Sequence, residues 1–189
     1  MKRRRFLLAA PAFLGACALR RGAPAPGSLQ DVDALARALV RMGPVNVSEA
    51  RAAATLTYDE THRLALAYQI VDAPLLHNAK VNAGLKPRGL CWHWAEDLQN
   101  RLNAANFNSM RIHRAIANAD NPIRIDHSTA IIAPAGAAWD AGVVVDPWRY
   151  GGELFWAPVT EDKAYDWGER EAVLRKHGRV RYLNQGAKV

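Results

Sequence analysis

The chain has 189 residues, a formal charge of +7, an apolar fraction of 50% and two cysteines. That length suits one domain of ordinary size with a short tail, and the 23% charged fraction excludes wholesale disorder. Two cysteines exclude a disulfide-rich scaffold, no C-x-x-C pair supports a zinc knuckle or a thioredoxin-type redox site, and no window reaches the ~18 uninterrupted apolar residues of a spanning helix.

Lys2, Arg3, Arg4 and Arg5 form a positive n-region, Phe6–Leu14 a short apolar run broken by Pro11, and Gly15 and Ala16 the small residues before Cys17. This is the pattern of an export signal, and the run is too short for a permanent membrane helix. Leu14-Gly15-Ala16-Cys17 resembles the lipobox of bacterial lipoproteins. The resemblance implies removal of residues 1–16, a lipidated Cys17, and anchorage to the cell envelope on the periplasmic side. Ala18 resembles the outer-membrane sorting pattern. A plain signal peptide that happens to end at a cysteine is the alternative. Arg3-Arg4-Arg5-Phe6-Leu7 resembles a twin-arginine motif, so the Sec and twin-arginine routes both stand. The n-region holds four of the seven excess charges, which leaves +3 on residues 17–189. With no recognition motif, that excess argues against nucleic-acid binding. Residues 17–27 are expected to hold the lipidated cysteine and a Pro/Gly tether, and 28–189 a single domain.

Ser28 can cap a helix running to about Met42, with Leu29, Val32, Leu35 and Leu39 on one face and Gly43-Pro44 as its stop. Ser48 opens a longer helix through Leu64, Tyr68 and Val71, and a shorter one covers Leu75 to Ala83 before Gly84. The loop Lys86-Pro87-Arg88-Gly89 leads into a fourth helix from Cys91, where Trp94, Leu98 and Leu102 share helical spacing. After Phe107 the texture changes to short β-branched and aromatic segments: SMRIHRAIA, RIDHSTAIIAP, GVVVDPW and ELFWAPV. All six tryptophans lie beyond residue 90. Helices over 28–105 followed by strands over 106–160 predict an α+β fold, with 161–189 as a C-terminal extension ending in a solvated basic tail.

With Cys17 lipidated, Cys91 is the one thiol left for chemistry. It follows a Pro/Gly loop and begins a helix, where free N–H groups and the positive end of the helix dipole favour a thiolate. The same N–H groups can receive the oxyanion of a tetrahedral intermediate. His127 heads a strand 36 residues later, and Asp146 ends the apolar run GVVVDPW after a further 19. A carboxylate at the end of a buried strand needs a partner, and antiparallel neighbouring strands would bring His127 to it. Cys91, His127 and Asp146 would then supply a nucleophile, a proton carrier and a group that orients the ring. Trp92, Trp94 and Trp148 flank these residues and are candidate cleft walls. His93 points off the nucleophile's face and reads as packing, Glu96 and Asp97 as solvated helix positions, and His113 as a strand residue without a role.

GLCWHWAEDL, DHSTAIIAP and VVVDPW, in this order, resemble the core of transglutaminase-like cysteine enzymes within the papain-like fold group. The resemblance spans about residues 86–150 and leaves the helices over 28–83 unexplained. It implies a Cys91 helix packed on an antiparallel sheet, with nucleophile, base and orienting acid at Cys91, His127 and Asp146. It also implies a polar oxyanion helper upstream of the cysteine. Gln69 is the polar residue upstream, but it is far from Cys91 and the role is left unassigned.

The resulting expectation is a lipid-anchored extracytoplasmic cysteine hydrolase or acyltransferase, acting on a peptide or protein amide, with cell-wall peptide suggested by location alone. Hydrolysis and transfer share every step but the last. The alternative is a non-catalytic envelope lipoprotein, a binding or assembly module that keeps the fold. A zinc site of Cys91, His93 and His127 lacks C-x-x-C or H-x-x-x-H spacing, so no metal and no cofactor is expected.

Overall fold

The computed structural model describes residues 22–183, so the export signal, Cys17 and the start of the expected tether lie outside the described residues. The fold is α+β. Helices α1 (Leu29–Arg41), α2 (Val47–Ala67), α3 (Pro74–Asn82) and α4 (Cys91–Asn103) precede strands β1 (Met110–Ala117), β2 (His127–Pro134), β3 (Val143–Asp146), β4 (Phe155–Pro158) and β5 (Trp167–Glu169), and α5 (Arg170–Lys176) follows. The strands form one sheet in the order β4-β3-β2-β1-β5, antiparallel at every pairing.

Local chemistry sets the helix boundaries. Ser28 and Asp31 cap α1 reciprocally: Ser28 Oγ accepts from the Asp31 N–H, and the Asp31 carboxylate accepts from the Ser28 N–H. Val32, Leu35 and Leu39 are buried, whereas Leu29, expected on the same face, is 76% exposed in the first turn. Helix α2 begins earlier than Ser48, because Asn46 Oδ1 accepts from the Ser48 and Glu49 N–H groups and is the cap. It also stops short of Val71. Gln69 takes a left-handed conformation (φ 56°), and the Ile70 N–H closes back onto the Ala65 carbonyl. Ala50, Ala53, Ala54 and Ala65 are fully buried on α2, and such small side chains let neighbouring elements approach closely. On α4, Trp94, Leu98 and Leu102 all point into the core.

Each strand alternates between the two sheet faces. Ala130, Ile132, Val143 and Val145 pack with α1, α2 and α4 in the main core. Ile131 and Val144 face the other way, with Ala115, Ala117 and Trp167, under Trp139, Val159 and Tyr165. Strand β2 is therefore buried on both faces along its whole length.

Two expectations are corrected. Residues 22–27, read as part of a free tether, pack on the domain: Pro24 is buried, its carbonyl accepts from His62 Nδ1 at 3.0 Å, and a Cβ on Gly27 would strike the Tyr58 ring. The described part of the C-terminal extension, up to residue 183, is not wholly solvated. It supplies β5 to the β1 edge and then α5, because Trp167 and Leu174 are apolar anchors that bury against the sheet and β1. Among the described residues no helix is long and apolar enough to cross a membrane.

Candidate active site

The loop before α4 is shaped to deliver Cys91. Gly89 has φ 123°, and a Cβ there would lie 2.4 Å from His77 Nε2, so no other residue fits without displacing the His77 ring. His77 Nε2 in turn bonds the Arg88 carbonyl at 2.8 Å. His93 Nδ1 accepts from the Gly89 and Leu90 N–H groups at 3.1 and 3.2 Å, which ties the loop to the first turn of α4. Burial first, and then the nearby Arg88 cation, hold the His93 pKa down at about 4, so the ring is the neutral acceptor this cap requires. His93, expected only to pack, is given a hydrogen-bonding cap by the geometry instead.

Cys91 is the first residue of α4. Its backbone N–H and that of Trp92 have no acceptor among the described residues, as the first turn of a helix dictates. Cys91 is 7% exposed, and its Sγ lies 3.6 Å from the Asp126 carbonyl oxygen, immediately before His127.

Register places the other two groups. Ala130 pairs with Val145, so the ladder continued by one residue sets Asp146 opposite Thr129. His127 is then Asp146's diagonal neighbour on the same face. His127 Nε2 donates to Asp146 Oδ2 at 2.7 Å, and both side chains are 1% exposed. Nδ1 is buried without a hydrogen-bond partner among the described residues. Trp148, Tyr165 and Trp167 surround the ring at centroid distances of 4.6, 4.6 and 5.3 Å. Burial disfavours a charged imidazole, but the Asp146 carboxylate and the neighbouring Cys91 side chain outweigh it and push the pKa up to about 9.

Sequence reasoning missed the groups that hold Asp146. Arg149 Nε donates to Asp146 Oδ2 at 3.0 Å and the Arg149 backbone N–H to Oδ1 at 3.2 Å. The rest of the guanidinium forks onto Asp162 at 3.0 and 2.6 Å, and the Trp167 indole N–H also donates to Asp162 at 2.9 Å. The available signal was Arg149 three residues after Asp146 across Pro147. Asp162 and Trp167 had none, since they arrive from the extension.

The three tryptophans separate. Trp92, 41% exposed, lines a cavity of about 470 Å³ that opens beside Cys91. Trp148 lies on the His127 ring and donates to Asn78 Oδ1 at 3.0 Å. Trp94 is not a cleft wall. At 1% exposure it packs edge-on against Tyr68 in the core, because it shares the inward stripe of α4 with Leu98. Glu96 and Asp97 are likewise not simply solvated: both pair with Arg88, and Asp97 also accepts from the Tyr68 hydroxyl. Gln69 is held by Lys86, which donates to its carbonyl at 3.0 Å. His113 sits on β1. Cys91, His93 and His127 do not assemble as a ligand set, and no group of three metal-binding side chains occurs among the described residues.

No protein-family model, curated protein or solved structure matches the chain.

Proposed function

We propose that this chain is a lipid-anchored extracytoplasmic cysteine enzyme of transglutaminase-like type, a hydrolase or acyltransferase acting on a peptide or protein amide. One observation carries the reading: a buried imidazole bonds a carboxylate through Nε2, has Nδ1 unpartnered among the described residues, and neighbours a thiol at the first residue of a helix.

The chemistry follows from that arrangement. With its pKa near 9 the ring holds a proton at neutral pH, and the proposed reacting form is this imidazolium beside the Cys91 sulfur. The sulfur adds to the amide carbonyl carbon, and the N–H groups of Cys91 and Trp92 stabilise the oxyanion. The C–N bond then breaks as His127 gives its proton to the leaving amine, and a thioester remains. Water or an acceptor amine attacks the thioester, His127 takes the proton, and the thiolate leaves. Asp146 stabilises the imidazolium and fixes its orientation.

The test uses the full chain carrying Cys17→Ser, which leaves a single thiol. Iodoacetamide should alkylate Cys91 at a substantial rate at pH 6, well below the ordinary thiol pKa of ~8.5. His127→Ala should return the profile to that ordinary value. A wild-type profile already centred near ~8.5 would overturn the reading.

The hydrogen bond from Sγ to the Asp126 carbonyl and the low exposure of Cys91 favour one competitor, a non-catalytic envelope module with a packed thiol. Full complementation of a deletion by Cys91→Ala would decide for it. Anchorage rests on the lipobox resemblance, and incorporation of a fatty-acid label that Cys17→Ser abolishes would support it.

A further inference from the structure

The cavity beside Cys91 is walled by α4, β1, β2 and the C-terminal extension, and its lining includes Cys91, Trp92, Arg114, Ser128, Arg170 and Leu174. Two carboxylates border it, and both are engaged: Asp126 pairs with Arg179, and Glu96 accepts from Arg88 at 3.4 Å. Arg181 also borders the space and donates to the Tyr182 hydroxyl at 2.7 Å. The cavity therefore carries an excess of positive charge.

Arg114 stands out within it. It projects from β1 and is only 8% exposed. Nη2 donates to the carbonyl of Trp92, the residue after the thiol, at 3.2 Å. Nε is buried with no acceptor among the described residues, and no carboxylate there lies within ion-pair distance of the guanidinium. A buried cation with unused donors is costly unless a partner anion completes it. Burial first, and then the neighbouring Arg170 cation, pull its pKa down to about 10, the direction an incoming anion would reverse. A guanidinium fork matches a carboxylate in geometry.

Building on the cysteine-enzyme reading, we propose that the acyl donor bound beside Cys91 carries a free carboxylate, and that Arg114 is the residue that holds it. The substrate class narrows to acidic peptides or related acidic amides whose carboxylate lies near the scissile carbonyl. Arg114 is then a specificity residue, placed by its bond to the Trp92 carbonyl at the start of the nucleophile's own helix.

Paired alkylating probes test this on the full chain with Cys17→Ser. Iodoacetate and iodoacetamide react identically, the Cys91 sulfur displacing iodide from the methylene carbon, but only iodoacetate carries a carboxylate. The iodoacetate-to-iodoacetamide rate ratio at Cys91 should exceed that of N-acetylcysteine by about tenfold or more, the low end for a hydrogen bond to a charged group. Arg114→Gln should remove most of that excess, and Arg114→Lys should restore part of it. Dividing by the iodoacetamide rate cancels any change the substitution makes in thiol reactivity. A ratio equal to that of the free thiol, or one that Arg114→Gln leaves unchanged, overturns the proposal.

Should Arg114→Gln fail to fold, protection of the wild-type protein decides. Succinate should slow iodoacetamide alkylation saturably while succinamide does not; equal protection, or none, overturns the proposal. Failure of the cysteine-enzyme reading is seen separately, as an ordinary pH profile with iodoacetamide alone.

Discussion

His127 and Asp146 are the first residue of one strand and the last of its neighbour, and their side chains meet at 2.7 Å with each only 1% exposed. An ion pair so far from solvent is stable only when its remaining hydrogen-bonding groups are occupied. Asp146 meets that condition through Arg149, whereas His127 Nδ1 is buried without a hydrogen-bond partner among the described residues.

The pair makes stability depend on pH. The folded His127 pKa, about 9, lies above the ordinary ~6.5, so its stabilisation is complete below ~6.5 and is lost as pH rises through 9. The shift corresponds to about 3 kcal/mol. Urea unfolding between pH 6 and 10 should show this loss in the wild type and not in Asp146→Asn. In that variant burial dominates, and the ring pKa should fall below its ordinary value when followed by NMR.

Arg149 bridges two buried carboxylates and lies over the Phe155 ring at 3.7 Å. Arg149→Leu should lower the unfolding free energy by about 3–5 kcal/mol, because it leaves Asp162 without its counter-ion and Asp146 with His127 alone. Arg149→Lys should recover only part of this, since an ammonium cannot fork between the two acids. Denaturant midpoints measure both.

His93 acts in the opposite direction from His127. Its folded pKa, about 4, is depressed by burial, so protonation of the unfolded chain destabilises the fold as pH falls from ~6.5 towards 4. His93→Asn, whose amide oxygen can accept from the same loop N–H groups, should flatten the stability profile over that interval in thermal melts.

A second acid limb comes from Glu49. Its carboxylate accepts from the Asn108 N–H and from the Ser109 N–H and hydroxyl, and these bonds hold its pKa at about 2. The stabilisation is present above the ordinary ~4.5 and is lost as pH falls through 2. Glu49→Gln should abolish this limb in unfolding curves from pH 2 to 6 and leave the His93 limb intact.

Much of the layout was legible because its causes are local. The apolar stripe of Trp94, Leu98 and Leu102 and the cap at Ser28 are written within a few turns of chain. So is the position of Cys91 behind Gly89. His127 and Asp146 were readable as a pair because each ends an apolar segment that a polar side chain tolerates only with a partner. The extension was not legible. Strand β5 has three residues, and its place is set by pairing Trp167 with Ala117, fifty residues earlier in the chain. Asp162, Tyr165 and Trp167 reach the site through that pairing.

By itself the sequence determined the α+β order of elements and the residue types available for chemistry, since helix period, strand alternation and turn residues act over short distances. Tertiary structure decided which of those residues meet. Register made Asp146 the diagonal neighbour of His127, and β1 carried Arg114 to the Trp92 carbonyl. The inward face of α4 took Trp94 into the core and left Trp92 at the cavity. These outcomes depend on long-range packing and on burial of charge, and no short window of sequence contains them.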